Sequence, residues 1–185
     1  MANSSTTGYG LRMAERLGNG PATGGQSKYK IQTAPGVGLF KGNPASLQDS
    51  GGDEGYLQDA AFATTDDGGT GGASYTTASH SLLVGVFNGA FYIDSTTLKP
   101  TFANSVAASQ AFGTNPNTGS TDGFGFVNDD PDQEYIVRAD AAVTQANHGT
   151  CFNVNNFTAS DAKSGQSVTT LDITCLLYTS DAADE

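Results

Sequence analysis

The run Ser81–Ile93, SLLVGVFNGAFYI, constrains the fold more than any other segment. Read at the two-residue period of a strand, one face carries Leu83, Gly85, Phe87, Gly89 and Phe91. The other carries Leu82, Val84, Val86, Asn88, Ala90 and Tyr92. Successive strand side chains alternate between faces, so a segment apolar on both belongs mid-sheet with cover on each side. The run is shorter than the ~18 apolar residues that a membrane helix requires. Asn88-Gly89 suits a hairpin turn. The expectation here is instead one continuous strand, bulged at Gly89, with Phe87 and Phe91 both in the core.

Around this strand lie shorter ones separated by turn chemistry. Tyr29 and Ile31 alternate with Lys28, Lys30 and Gln32, a half-buried strand pattern that Ala34-Pro35-Gly36 ends. A second short strand starts at Val37–Phe40, Pro44–Asp53 reads as loop, and Gly55–Phe62 reads as strand. Thr64–Ser74, TTDDGGTGGAS, has nothing to bury and reads as a mobile surface loop. Asp94–Pro100 reads as a turn, with Thr101–Phe102 returning, and Ser105–Gly123 as polar loop. Gly123–Val127 and Glu134–Ala139 flank N-D-D-P-D and predict a hairpin. One helical turn within Ala141–His148 and strands at Thr150–Val154 and Val168–Ile173 complete the pattern. Charged residues are only 15% of the chain, Gly contributes 24 residues and Trp none, which excludes coiled coils and helical bundles. The expected class is all-β, a small barrel or sandwich built on one core.

Three segments are distinguished. Residues 1–27 are polar and Gly-rich and read as an extended N-terminal arm; residues 28–174 form the β domain. Residues 175–185, CLLYTSDAADE, match the translation of a transposase-derived sequencing adapter. They are therefore read as non-native, with the domain C-terminally truncated. On that reading the tail makes few tertiary contacts, Val168–Ile173 lies at an open sheet edge, and Cys151 is a single thiol. Met1–Gly10 lacks the charged and apolar regions of a signal peptide.

Charge is divided unevenly. Residues 1–41 hold Arg12, Arg16, Lys28, Lys30 and Lys41 against Glu15 alone, net +4, whereas residues 42–174 are net -12. A basic arm on an acidic body points to an acidic partner surface. The arm residues Tyr9, Leu11, Arg12, Met13, Arg16 and Leu17 are the candidate partner-binding set. Within one chain they find little to bury against, so the arm is expected to be disordered alone. The acidic body and the lack of an aromatic-plus-basic surface argue against a nucleic-acid partner, and the apolar run lengths argue against a membrane partner.

Catalysis has few candidates. The chain has two histidines, His80 and His148, and no nucleophile-elbow, metalloprotease, paired-cysteine or phosphate-loop motif. Cys151 and His148 stand three residues apart in a loop, a weak pairing against the simpler reading of an inert thiol. Asp129, Asp130, Asp132 and Glu134 form the densest acidic cluster. Their spacing fits no EF-hand, so a solvated turn is expected and cation binding is left open. No catalytic residue, cofactor or metal is assigned.

Several motifs in order resemble a known family. They are M-A-N…G-Y-G-L-R over Met1–Arg12, the Tyr29–Ile31 strand, G-V-F-N-G-A-F-Y over Gly85–Tyr92 and D-S-T-T-L-K-P over Asp94–Pro100. T-F-A-N over Thr101–Asn104, V-N-D-D-P over Val127–Pro131 and Y-I-V-R-A-D over Tyr135–Asp140 follow. Together these resemble the head decoration or capsid-stabilising proteins of tailed phages from marine metagenomes. The resemblance implies a non-enzymatic virion protein on the capsid exterior, made in the host cytoplasm. Its partner would be the major capsid protein shell, with homo-oligomers on that shell. The alternative class is a receptor- or glycan-binding β adhesin module, which an aromatic cluster around an exposed pocket would favour.

Overall fold

A computed structural model of the chain describes residues 9–18, 20–21, 25–48, 55–60, 82–150, 152–155, 161 and 164–176. It is all-β. In chain order the strands are β1 (Arg12–Arg16), β2 (Gly20–Pro21), β3 (Ser27–Ile31), β4 (Leu39–Phe40), β5 (Pro44–Leu47), β6 (Leu57–Asp59) and β7 (Leu82–Ile93). β8 (Pro100–Ala103), β9 (Ser105–Val106), β10 (Gly123–Asn128), β11 (Gln133–Ile136), β12 (Arg138–Ala139), β13 (Phe152–Asn155) and β14 (Thr170–Leu176) follow. A 3-10 turn at Gln145–Asn147 accounts for the helical turn expected there.

The largest sheet runs β3-β10-β7-β5-β6, with β8 also on β7. β7 is its spine, the continuous strand that the opening motif predicts. Val86 pairs with both Pro44 and Asn128, and Ala90 with both Gly125 and Ala103. β10 therefore holds one edge of β7, while β5 and β8 share the other. The gap between them is filled by the turn before β5: Gly42 N–H donates to the Phe87 carbonyl (2.8 Å) and Phe87 N–H to the Asn43 carbonyl (2.9 Å). The sheet curls without closing. Its end strands β3 and β6 approach each other, and Ile31 and Leu57 meet over Gly125.

The core comprises Ile31, Leu39, Ala45, Leu57, Phe87, Ala90, Tyr92, Val106, Phe112 and Val127. Tyr92 stacks on Phe112 with centroids 4.6 Å apart. A bulge changes the reading of β7. Phe126 opposes Gly89 but Val127 opposes Phe87, so Asn88 is the extra residue, and Gly89 takes φ +142. One inserted residue reverses which side chains face inward. Before it Phe87 is inward; after it Ala90 and Tyr92 are. Phe91 is consequently half-buried on the outer face, not in the core, and that face is covered only over part of its length.

Other expectations are corrected. Pro44–Leu47 is not loop but a buried strand: Pro44 opens it, where a missing N–H is tolerated, and small Ala45 and Ser46 pack tightly beneath it. β10 and β11 do not form a hairpin; β11 leaves the turn to pair with β1. The arm is extended, but residues 12–16 pair antiparallel with β11 of the same chain, so a surface for them exists within the fold. β14 is not an edge: it lies between β12, parallel, and β13, antiparallel. Cys175 and Leu176 continue it, Leu176 opposite Phe152. The loop at Thr64–Ser74, His80, Cys151 and residues 177–185 lie outside the described residues.

Candidate binding site

Two adjoining surfaces on the outer face of the large sheet gather the residues of interest. The first is a cleft where the arm crosses the sheet. Gly10 takes φ +72 and packs on Gly42, φ +91; a Cβ on Gly10 would come within 2.9 Å of the Gly42 carbonyl oxygen. This backbone-to-backbone approach lets Leu11 N–H donate to the Gly42 carbonyl at 2.9 Å. β1 then runs along β11, and Gln133 Nε2 donates to the Glu15 carbonyl at 2.9 Å. The far end is fixed by charge: Arg16 Nε lies 2.8 Å from Asp130 Oδ2, and Arg16 Nη2 3.6 Å from Asp132 Oδ2.

Beneath this strap is a cavity of about 360 Å3. The arm contributes Tyr9, Leu11, Arg12 and Met13, the turn before β5 contributes Lys41 and Gly42, and β7 contributes Val86, Phe87 and Asn88. Asn128, Tyr135 and Gln166 complete it. Arg12 sits over the Tyr9 ring, 5.5 Å from its centroid, a cation–π contact. The Asn128 side-chain amide contacts the Met13 sulfur. Tyr135 donates its hydroxyl to the Asn128 carbonyl at 3.3 Å. Burial, then the charges of Asp130 and Asp129, push the Tyr135 phenol up to about 12, so it stays a neutral donor. Four of the six arm residues singled out in the sequence thus come together. Arg16 is committed to Asp130 and Asp132, and Leu17 is 71% exposed beyond the cleft.

The second surface lies farther along the same face. Phe124 of β10, Phe91 of β7 and Phe102 of β8 are direct cross-strand neighbours. They form a row whose Phe91 and Phe102 centroids are 4.7 Å apart. Phe102 is 75% exposed and Phe124 37%. In the next row Phe126 stands opposite Gly89, which has no side chain, and the gap opens a groove of about 280 Å3. Asn88, Asn104, Phe102 and Phe126 line it. Lys30 and Lys28 of β3 border the two rows, opposite Phe124 and Phe126. Asn88, the bulge residue, lines both groove and cleft, so the two surfaces are continuous.

The acidic turn serves the fold. Asp129 accepts the Tyr29 hydroxyl at 2.9 Å, and side-chain hydrogen bonds from Ser27 and Tyr29 hold its carboxyl below the usual carboxylate range against the effect of burial. Asp130 receives Arg16 and also accepts Asp132 N–H at 3.0 Å. Among the described residues no group of three His, Cys, Asp or Glu side chains is placed to hold a metal ion, and no helix is long and apolar enough to cross a membrane. His148 is exposed after the 3-10 turn.

Sequence reasoning missed Lys41, Asn88, Asn128, Tyr135 and Gln166 because only the fold brings them to the arm. It also missed the Phe102–Phe91–Phe124 row. Gly123-Phe124-Gly125-Phe126 did carry a signal, since alternating Gly and Phe puts every large side chain on one face. No protein-family model matches the chain, and no curated protein or solved structure matches it either.

Proposed function

We propose that the chain is a non-enzymatic virion structural protein that docks on the outer surface of a phage capsid. The observation that carries this reading is the exposed Phe102–Phe91–Phe124 row with lysines at its border. Contiguous exposed aromatic surface with a polar rim is characteristic of protein–protein contact. The capsid as partner rests on the resemblance of the ordered sequence motifs to head decoration proteins. Copies arrayed on a shell would each need only modest affinity, because neighbouring contacts raise the effective concentration. The test is to recover the neighbouring capsid gene from a long-read assembly of the same locus and assemble its shells. The chain should co-sediment with the shells, and the double substitution Phe91→Ser/Phe102→Ser should abolish this. A folded chain that stays in the supernatant overturns the reading.

A second reading is favoured by the groove. Asn88 and Asn104 amides beside Phe102 and Phe126 combine apolar faces with paired donors and acceptors, which suits a glycan-binding adhesin module. Retention on a glycan array that Asn104→Ala abolishes, with no shell binding, would select it.

A further inference from the structure

We propose that the cleft beneath β1 is a docking site for an acidic peptide segment, seating a carboxylate at Arg12 and Lys41 and an adjoining apolar side chain against Leu11, Met13 and Val86. The inference does not depend on the assembly to which the chain belongs.

The charge of the cleft favours an anionic ligand. The chain has 19 Asp and Glu against 8 Lys and Arg. The cleft lining reverses this, with two cations and no carboxylate. Two other cations are paired with carboxylates: Arg16 with Asp130 and Asp132, and Lys30 with Asp122 at 3.6 Å. Among the described residues neither Arg12 nor Lys41 forms a salt bridge. Tyr9 holds the Arg12 guanidinium by its ring face, which orients the charge without cancelling it.

The shape and lining of the cleft favour a peptide. A cavity of about 360 Å3 is large enough for a side chain or two but not a folded element. Leu11, Met13 and Val86 offer an apolar wall, and Asn88 and Gln166 offer amides that both donate and accept, as a peptide backbone requires. A nucleic-acid strand is disfavoured, because its successive phosphates would run from these two cations onto a body of net charge -12 over residues 42–174.

The experiment titrates the full 185-residue chain with a fluorescein-labelled peptide bearing Leu-Asp-Glu-Leu and with its Asn/Gln counterpart. The acidic peptide should bind at least about tenfold more tightly, the scale of a charge-assisted hydrogen bond. Its affinity should fall with added salt. Arg12→Gln and Lys41→Gln should each weaken it about tenfold, whereas Lys99→Gln, on the exposed turn between β7 and β8, should not. Thermal melts check that the variants stay folded. On the unmutated chain, amide NMR shifts should change at Gly42, Asn88, Asn128 and Gln166. Equal binding of the two peptides, binding of neither, shifts clustered elsewhere, or displacement by inorganic phosphate or a short oligonucleotide as readily as by unlabelled peptide overturns the proposal.

Discussion

Asp59 is 3% exposed, at the end of β6 opposite Ala45 of β5. Its Oδ1 accepts Asn43 Nδ2 at 3.1 Å; Asn43 Oδ1 in turn accepts the Thr169 hydroxyl at 3.3 Å, which is hydrogen-bonded to Ser167. Burial outweighs the hydrogen bonds from Asn43 and Ala60 and pushes the carboxyl up from 3.8 to about 7. Between those values the folded chain keeps a proton that the unfolded chain releases, so stability falls as pH rises through that window. The contribution is full below pH 3.8, lost above about 7, and amounts to ~4 kcal/mol at most. Urea unfolding from pH 4 to 8 should show this decline, and Asp59→Asn should flatten it; an unchanged slope in the variant would assign the effect elsewhere. Gly85 poses a steric question instead. A Cβ there would overlap the Asn128 carbonyl oxygen and approach Asp129 Cα to 3.0 Å, both backbone atoms that no rotamer change can move. Gly85→Ala should therefore cost more than about 3 kcal/mol, at the upper end for point substitutions. A loss under ~1 kcal/mol, a typical surface value, would mean that β7 and the turn after β10 can separate.

At the scale of elements, β1 shows what the sequence conceals. Residues 11–17 are too few and too polar to order themselves, and nothing local in the sequence marks β11 as their partner. The deciding features are long-range: Gly10 against Gly42, Leu11 N–H to the Gly42 carbonyl, and Leu17 N–H to the Asp132 carbonyl at 2.7 Å. Hydrogen exchange should accordingly show the amides of Leu11 and Leu17 protected in the isolated chain. Gly10→Val, strained at φ +72 and crowding Gly42, should remove that protection while the Phe87 amide in β7 keeps its own. Unprotected arm amides in the unmutated chain would restore a free arm. β3, β7 and β8 were legible because alternation and turn residues are local signals. The Asp94 turn is a case: Oδ1 accepts Thr96 and Thr97 N–H at 3.0 and 2.7 Å, an arrangement encoded in four residues. β5 was illegible because Pro44, Ala45 and Ser46 have weak strand propensity, and its neighbours β6 and β7 select it. The cleft was half legible. Its arm residues stood out by charge and apolarity, but Asn128 reaches it through the register of β10 on β7, and Lys41 and Gln166 through an isolated long-range bridge.

For the molecule as a whole, the outer face of the large sheet is divided along β7. Over one half, β1 and β11 cover Val86 and Asn128; over the other, Phe91, Phe102 and Phe124 meet solvent. The bulge at Asn88 creates this division, because without it Phe91 would share the inward side with Phe87. Two phenylalanines of one strand thus have opposite assignments, which mutation can separate. Phe87, fully buried, should cost roughly 3–5 kcal/mol on substitution by Ala. Phe91→Ser/Phe102→Ser, on the open half, should change stability by only about 1 kcal/mol or less per site. The outer row gains little from burial within the chain, so its contribution should appear in association. Sedimentation velocity at rising concentration should show weak self-association of the unmutated chain that the double variant lacks, since exposed aromatic surface is the part of the molecule with most to gain from a partner. Equal destabilisation by the two sets of substitutions would place both phenylalanines in one core and remove the docking face. Retained stability with no change in sedimentation would restrict that face to a partner other than a second copy.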